Sequence, residues 1–362
     1  MLRGRFFVDN SEQYSMKSKW LQQMLVILWV CISACAFAEE SPLEVDVDPP
    51  RGNGIQLGDG AVHEWKVGVE VTASRGTIVG AVATIPIPTN WPEQTVERVE
   101  EESSRNITSV KYRKLGGGVE QMVVTIRRLR ANETAYAYAL VRVHRKAIIG
   151  PQDTAQFEIP QKLDRSMRKF ISPSPYIESN HRKIRKLAKE IVAEIPPAND
   201  WKKVEAIYDW VREQVQYEFD KEIKGALQSL DDGHGDCEEL TSLFVALCRA
   251  NRIPARAIWI PNHCYPEFYM EDQDGYGHWF PCQAAGSRAF GSMPEHRPIL
   301  QKGDNFKVPD KKKPQRYVAE FFKAQIPSGS GNPTVRWERQ LITPVENEPA
   351  GRARDLPFDF KP

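Results

Sequence analysis

The stretch GDCEELTSLFVALCRANRIPAR, residues 235–256, sets an acid and a cysteine at the head of an apolar helix. Asp236 is a residue type that caps a helix start, and Glu239, three positions on, completes a capping box. Cys237, Thr241, Phe244 and Cys248 recur at helical spacing with Leu240 and Leu247 beside them. The helix runs out near Ala250-Asn251, before Ile253-Pro254 breaks it. Cys237 therefore sits in the first turn, among backbone N–H groups without intrahelical partners and at the positive end of the helix dipole. That environment favours thiolate over thiol, and a nucleophile needs the thiolate. Glu238 and Glu239 oppose the effect by their charge, and the competing reading is a small apolar residue filling a core.

The next stretch, NHCYPEFYMEDQDGYGHWFPCQAAG over residues 262–286, supplies what a nucleophile needs around it. Two strands, about His263–Met270 and Tyr276–Gln283, flank the turn-rich Glu271-Asp272-Gln273-Asp274-Gly275. Closure about Gln273 sets His263 opposite Gln283 on one face and Cys264 opposite Cys282 on the other. A thiolate, an imidazole to hold and deliver the proton, and a polar group to orient the imidazole make up the machinery of thiol-based acyl transfer. The facing pair Cys264 and Cys282 has two readings, a cross-strand disulfide in an exported protein or two free thiols under the sheet. Cys248 reads as core, His278 as structural on the face away from His263, and His234 as a loop residue. A zinc site from Cys237, His263 and Cys264 or Cys282 is a weaker reading, since neighbours along a strand point to opposite faces.

These blocks resemble the transglutaminase-like cysteine enzymes. That family's core reads G-x-C, an apolar helix and G-I-P-A-R, then H-A-W-x-E-V and G-W-x-x-V-D. The counterparts here are Gly235-Asp236-Cys237, Ile253-Pro254-Ala255-Arg256, His263 to Phe268 and Gly277 to Gln283, and the resemblance spans about residues 180–290. It implies a papain-like α+β core with Cys237 as nucleophile and His263 as base, and no metal or organic cofactor. It also implies attack on an amide or peptide carbonyl of a peptide or protein substrate, and since nothing in the sequence suggests a dedicated amine site, hydrolysis is expected over crosslinking. Two positions depart from the pattern. Gln283 stands where the family has an aspartate, so it can orient the imidazole but supplies no charge. Arg252 stands where the family has glycine, at the helix end. Gln283 also sustains the rival reading, an inactive module that binds peptide or cell-wall material.

Upstream, the period is that of strands. Trp65, Val67, Val69 and Val71 alternate with polar or small residues, Val110–Tyr112 and Met122–Ile126 flank Gly116-Gly117-Gly118, and Tyr136, Tyr138 and Leu140 line one face. This half reads as a β-sandwich that supports the core. Pro173-Ser174-Pro175 marks a linker. Two helices follow, one capped at Ser179 or Asn180 and one at Asn199 or Asp200. The fold class is α+β: leader 1–38, β-sandwich domain 39–165, linker and first helix 166–200, transglutaminase-like core 201–300 and C-terminal extension 301–362.

The chain has 362 residues and 41% apolar content, enough for two cores. Its formal charge is +1, and the short run Lys311-Lys312-Lys313 beside Pro314 reads as a solvated loop, so nucleic acid is not an expected partner. From Met16 onward, lysines 17 and 19, an apolar stretch and Ala36-Phe37-Ala38 form a secretory signal with cleavage before Glu39. Ile32-Ser33-Ala34-Cys35 also resembles a lipoprotein box, and lipid on Cys35 is the one route to membrane attachment. Both readings export the protein to the periplasm or the medium. Loss of residues 1–38 removes Cys31 and Cys35 and leaves cysteines 237, 248, 264 and 282, with no Cys-x-x-Cys pair for a zinc knuckle. Oligomeric state is not set by the sequence.

Overall fold

The computed structural model of the chain describes residues 54–219 and 222–342. The leader over residues 1–38, with Cys31 and Cys35, lies outside the described residues, as does the end of the C-terminal extension.

Alternation builds the first half. Strand β1 (Gln56–Thr72) turns Trp65, Val67, Val69 and Val71 inward, as a period of two requires. It is followed by β2 (Ile78–Ile87), β3 (Gln94–Ser103), β4 (Ser109–Leu115), β5 (Val119–Leu129) and β6 (Thr134–Ile149). The three glycines 116–118 close the β4–β5 hairpin, in which Leu115 pairs with Val119.

After Pro173-Ser174-Pro175 the period becomes helical. Helix α1 (Arg182–Val192) buries Ile184 and Ala188. His181 caps it instead of Ser179 or Asn180, because those two residues lie in a turn that closes the His181 N–H onto Glu178 C=O at 2.9 Å. Helix α2 (Asp200–Gln214) is capped by Asn199 and buries Trp201, Val204, Ile207, Tyr208 and Val211. Strand β7 (Gln216–Tyr217), helix α3 (Ala226–Asp232) and strand β8 (His234–Gly235) then lead into helix α4 (Cys237–Ala250). Every residue of α4 from Glu239 to Arg249 is buried. A helix buried on all sides, most of it apolar, belongs at the centre of a domain. The other three helices pack against α4, and a sheet covers its remaining side.

That sheet consists of β9 (Ala255–Ile260), β10 (His263–Glu271), β11 (Gly277–Pro281) and β12 (Gln301–Lys302), in the order β11-β10-β9-β12. The β10–β11 register corrects the expectation of closure about Gln273. Glu267 pairs with Pro281, Met270 with His278 and Glu271 with Gly277, so the hairpin centres on Asp274. Its loop fixes this offset: Asp272 Oδ1 accepts the N–H groups of Asp274 (3.0 Å) and Tyr276 (2.9 Å), and Gly275 takes φ +81°. Each opposing residue moves by two positions, which preserves every side chain's face. His263 and Gln283 thus stay on one face, whereas Cys264 and Cys282 are not directly opposed. The four cysteines 237, 248, 264 and 282 are free thiols, so the free-thiol reading holds over the disulfide.

The residues past the core return to the first half. Strand β13 (Phe321–Gln325) pairs with β2, and β14 (Thr334–Ile342) pairs with β1. The two antiparallel sheets, β14-β1-β6-β3 and β13-β2-β5-β4, enclose one apolar core. Buried charges tie this sandwich to the helix-and-sheet core. Lys302 Nζ of β12 bonds Glu93 at 2.5 Å, just ahead of β3, and Glu267 of β10 at 2.9 Å. Burial opposes the charge on Glu93, but Lys302 and Arg145 outweigh it and hold its carboxyl at about 2.

Candidate active site

Each element of the site is fixed by local chemistry. At the head of α4, Asp236 Oδ1 accepts the Glu238 N–H (2.7 Å), and Glu239 Oε2 accepts the Asp236 N–H (3.0 Å), the expected capping box. Gly235 is needed for close approach, since a Cβ there would come within 2.5 Å of Glu239 Cβ. Cys237 is the first helical residue and is partly exposed. Its own N–H is among those that a helix start leaves without an intrahelical acceptor.

His263 opens β10, directly after Asn262 turns the chain at φ +59°. Its Nε2 donates to Gln283 Oε1 at 3.0 Å, which leaves Nδ1 for Cys237. Gln283 lies just past β11 and is held by its backbone. Its N–H donates to Ala289 C=O at 2.8 Å, and its C=O accepts from Arg212 Nη1 at 2.8 Å. Arg212, on α2, also bonds the carbonyls of Ala284 (3.3 Å) and Gly286 (2.9 Å). The three residues singled out in the sequence therefore meet at one place, and Arg212 pins the segment that carries the third.

The charges follow the geometry. The hydrogen bond from Cys264 is the largest influence on Cys237 and lowers its thiol; burial opposes this, and the hydrogen bond and charge of His263 add to it, for a result of about 5. Burial works against the imidazolium of His263. The hydrogen bond and charge of Cys237, with the Gln283 bond, outweigh burial, and the His263 pKa is raised.

An open cleft of about 2490 Å³ runs past Cys237, His263 and Gln283. Tyr176, Tyr217 and Phe219 are exposed along it, and Trp337 of β14 contributes to its lining from the sandwich. Arg316 enters from the C-terminal segment, pairs with Glu238, and lies over the rings of Tyr176 (4.9 Å) and Trp259 (5.5 Å). Neither Arg212 nor Arg316 is marked by motif or spacing. Both reach the site from segments distant in sequence.

The remaining candidates take structural positions. Cys248 is fully buried in the core. His278 is buried on the face away from His263 and bonds Asp272 at 2.7 Å, which locks the hairpin loop. His234 faces Glu218 at 3.5 Å. No group of three His, Cys, Asp or Glu side chains suited to a metal occurs among the described residues.

Residues 185–284 match the sequence family described as the transglutaminase-like superfamily, and this part of the chain is a transglutaminase-like core. A solved structure from Cytophaga hutchinsonii, described as a "putative cysteine protease", shares the fold with a TM-score of 0.52 at 19% identity, over 83% of this chain and 96% of that one. A "putative protease" from Parabacteroides distasonis is similar with a TM-score of 0.24 at 11% identity, over 66% of this chain and 68% of its own. The periplasmic domain of TgpA from Pseudomonas aeruginosa, bound to ethylmercury, is similar with a TM-score of 0.28 at 14% identity, over 62% and 90%. No curated protein sequence matches the chain.

Proposed function

We propose, with the transglutaminase-like core at residues 185–284 as premise, that this protein is a cysteine-dependent enzyme acting on amide or peptide bonds. Cys237 is the nucleophile, His263 the proton carrier and Gln283 the residue that orients the imidazole. The observation that carries the reading is the placement of Cys237 at a helix start, on one cleft with an imidazole whose Nε2 rests on Gln283 at 3.0 Å.

The chemistry follows from these positions. Cys237 Sγ, as thiolate, adds to the substrate carbonyl carbon, and the negative charge passes to the carbonyl oxygen. The free N–H of Cys237 at the head of α4 points its dipole at that oxygen. As the C–N bond breaks, imidazolium Nδ1 of His263 delivers its proton to the leaving amine, and a thioester remains on Cys237. Water then adds to the thioester, with His263 as base, and releases the carboxylic acid. Gln283 keeps Nε2 protonated and Nδ1 aimed at sulfur throughout.

The substrate is a peptide or protein segment. A cleft bordered by exposed aromatic side chains suits an extended chain. Hydrolysis is the proposed outcome over crosslinking. The site of action is outside the cytoplasm, on the strength of the leader over residues 1–38. No helix of the described residues is long and apolar enough to cross a membrane.

The test is iodoacetamide labelling at mildly acidic pH, mapped by mass spectrometry. Cys237 should be modified far faster than Cys248, whose burial keeps its thiol protonated well above the usual range. Equal, slow labelling of both would count against the nucleophile. Amino-terminal sequencing of the mature protein should begin at Glu39, or show a lipid-modified Cys35, if export occurs as proposed.

A further inference from the structure

We infer that Tyr176 is a specificity-determining residue, its ring forming with the Arg316 guanidinium a fixed platform beside Cys237 that takes an aromatic or large apolar side chain of the peptide. The inference rests on the proposed role of Cys237 and goes beyond it by naming the kind of side chain that the cleft selects.

The backbone at Tyr176 is the first observation. Ser174 and Ile177 exchange hydrogen bonds at 2.9 and 3.2 Å around Pro175-Tyr176, and Tyr176 takes φ +66°. A turn of this kind favours proline first and glycine second, since only a residue without a Cβ enters the left-handed region freely. A bulky side chain at positive φ persists only where its surroundings hold it, and such positions gather at ligand-binding sites. Here the surroundings do hold it. Ser174 Oγ donates to Asp304 Oδ1 at 2.6 Å and accepts from Arg249 Nη1 at 2.9 Å, and both partners are buried. On the other side, the Ala226 N–H donates to the Tyr176 carbonyl at 2.9 Å.

Core packing does not account for the strain, because the anchored turn leaves Tyr176 40% exposed on the cleft. The Arg316 guanidinium lies over its ring at 4.9 Å. Arg316 is itself fixed from both sides. Gln315 exchanges hydrogen bonds with Phe306 (2.8 and 2.9 Å), and the Val318 backbone is held by the Gln301 side chain (2.8 and 2.9 Å). Glu238, the ion-pair partner of Arg316, follows Cys237 directly in the chain, which puts the platform at the nucleophile. Asp236 and Glu238 balance Arg316 and Lys313 along this wall, so a charged side chain meets no net opposite charge. A flat apolar side chain does gain, by stacking on the tyrosine and leaving water. Tyrosine suits the task, since it offers a large rigid surface at low entropy cost.

The test is protection of Cys237 from iodoacetamide, in the full chain, by capped pentapeptides with phenylalanine, alanine or glutamate at the centre of four glycines. Such a peptide can lay its central side chain on the platform whichever side of the nucleophile the platform serves. In the parent, the phenylalanine peptide should halve the labelling rate at about a tenfold lower concentration than the other two, near the upper end of what an aromatic pair contributes. Tyr176→Phe keeps the ring and should keep that preference. Tyr176→Gly removes the ring and relieves the backbone, so the three peptides should protect within about twofold of one another. Its labelling rate without peptide and its melting temperature should stay near those of the parent. The inference is overturned if the parent shows no preference for phenylalanine, if Tyr176→Gly retains it, or if Tyr176→Phe loses it. A parent whose Cys237 labels as slowly as Cys248 overturns the nucleophile and this inference with it. Fast labelling without selectivity among the peptides overturns this inference alone.

Discussion

Replacing Gln283 with alanine deletes one contact at the site, the 3.0 Å bond from His263 Nε2 to Gln283 Oε1. The backbone anchors of residue 283, to Ala289 and Arg212, survive the change. The lost bond is made to an imidazolium in the working pair, and hydrogen bonds to charged groups contribute about 1.5–3 kcal/mol. At about 1.36 kcal/mol per factor of ten, that is a fall of roughly 10- to 150-fold in kcat/KM. The assay pairs turnover of a fluorogenic peptide amide with the iodoacetamide titration of Cys237. Turnover should fall in that range while the protein keeps its unfolding midpoint within a few degrees. Gln283→Asp adds a charge beside Nε2, so the His263 pKa should rise further and the active pH range extend on its alkaline side. A Gln283→Ala protein within twofold of the parent in both assays refutes the reasoning, because the imidazole would then be oriented by something else or not at all.

In kcat/KM against pH, an acid limb should fall near 5, where Cys237 protonates, and an alkaline limb above 6.5, where the raised His263 loses its proton. Stability should follow the same signs. The contribution of Cys237 is present above its unfolded pKa and lost as pH falls through about 5, whereas that of His263 is present below 6.5 and lost as pH rises through its folded value. Urea unfolding across pH checks this. Arg212→Ala removes the donor to the carbonyls of Gln283, Ala284 and Gly286, and should slow turnover in the manner of Gln283→Ala but less, with partial recovery in Arg212→Lys. Arg252 holds φ +63°, where glycine carries no Cβ penalty. Arg252→Gly should therefore stabilise the protein by about 0.5–1 kcal/mol, read as a raised melting temperature, with activity unchanged. Lys302→Met leaves Glu93 and Glu267 facing each other without their shared cation, and should destabilise by about 3–5 kcal/mol in denaturant titration.

Much of the site was readable because local rules dominate it. The capping box at Asp236 and Glu239 depends only on residues three apart, and the alternation along β10 and β11 decides which side chains share a face. That is why His263 and Gln283 meet although the hairpin closes about Asp274 and not Gln273. A shift of two positions leaves parity intact. The same shift separates Cys264 from Cys282, where direct opposition was the whole basis of the disulfide reading. Arg212 and Arg316 were not readable. Each acts through a contact between segments far apart in sequence, and neither carries a local signature. The sandwich was visible from its period, but the strands that complete it lie after the core, where the run Lys311-Lys312-Lys313 beside Pro314 reads as a solvated loop.

The return of β13 and β14 to the sandwich has a consequence for the order of assembly. Glu64 pairs with Ile342 and Thr72 with Thr334, so the β1 edge is bare until nearly all of the chain exists. The papain-like core, whose helices and sheet lie close together in sequence, has every contact it needs before that moment. The nascent molecule is therefore a finished core carrying an unsealed sandwich, whose open β1 and β2 edges offer free N–H and C=O groups to any passing strand. Late long-range pairing of this kind is slow. The seam closed by β13 and β14 is thus the place where folding is most exposed to misassociation, and strands that form last in sequence decide whether a sound molecule is made at all.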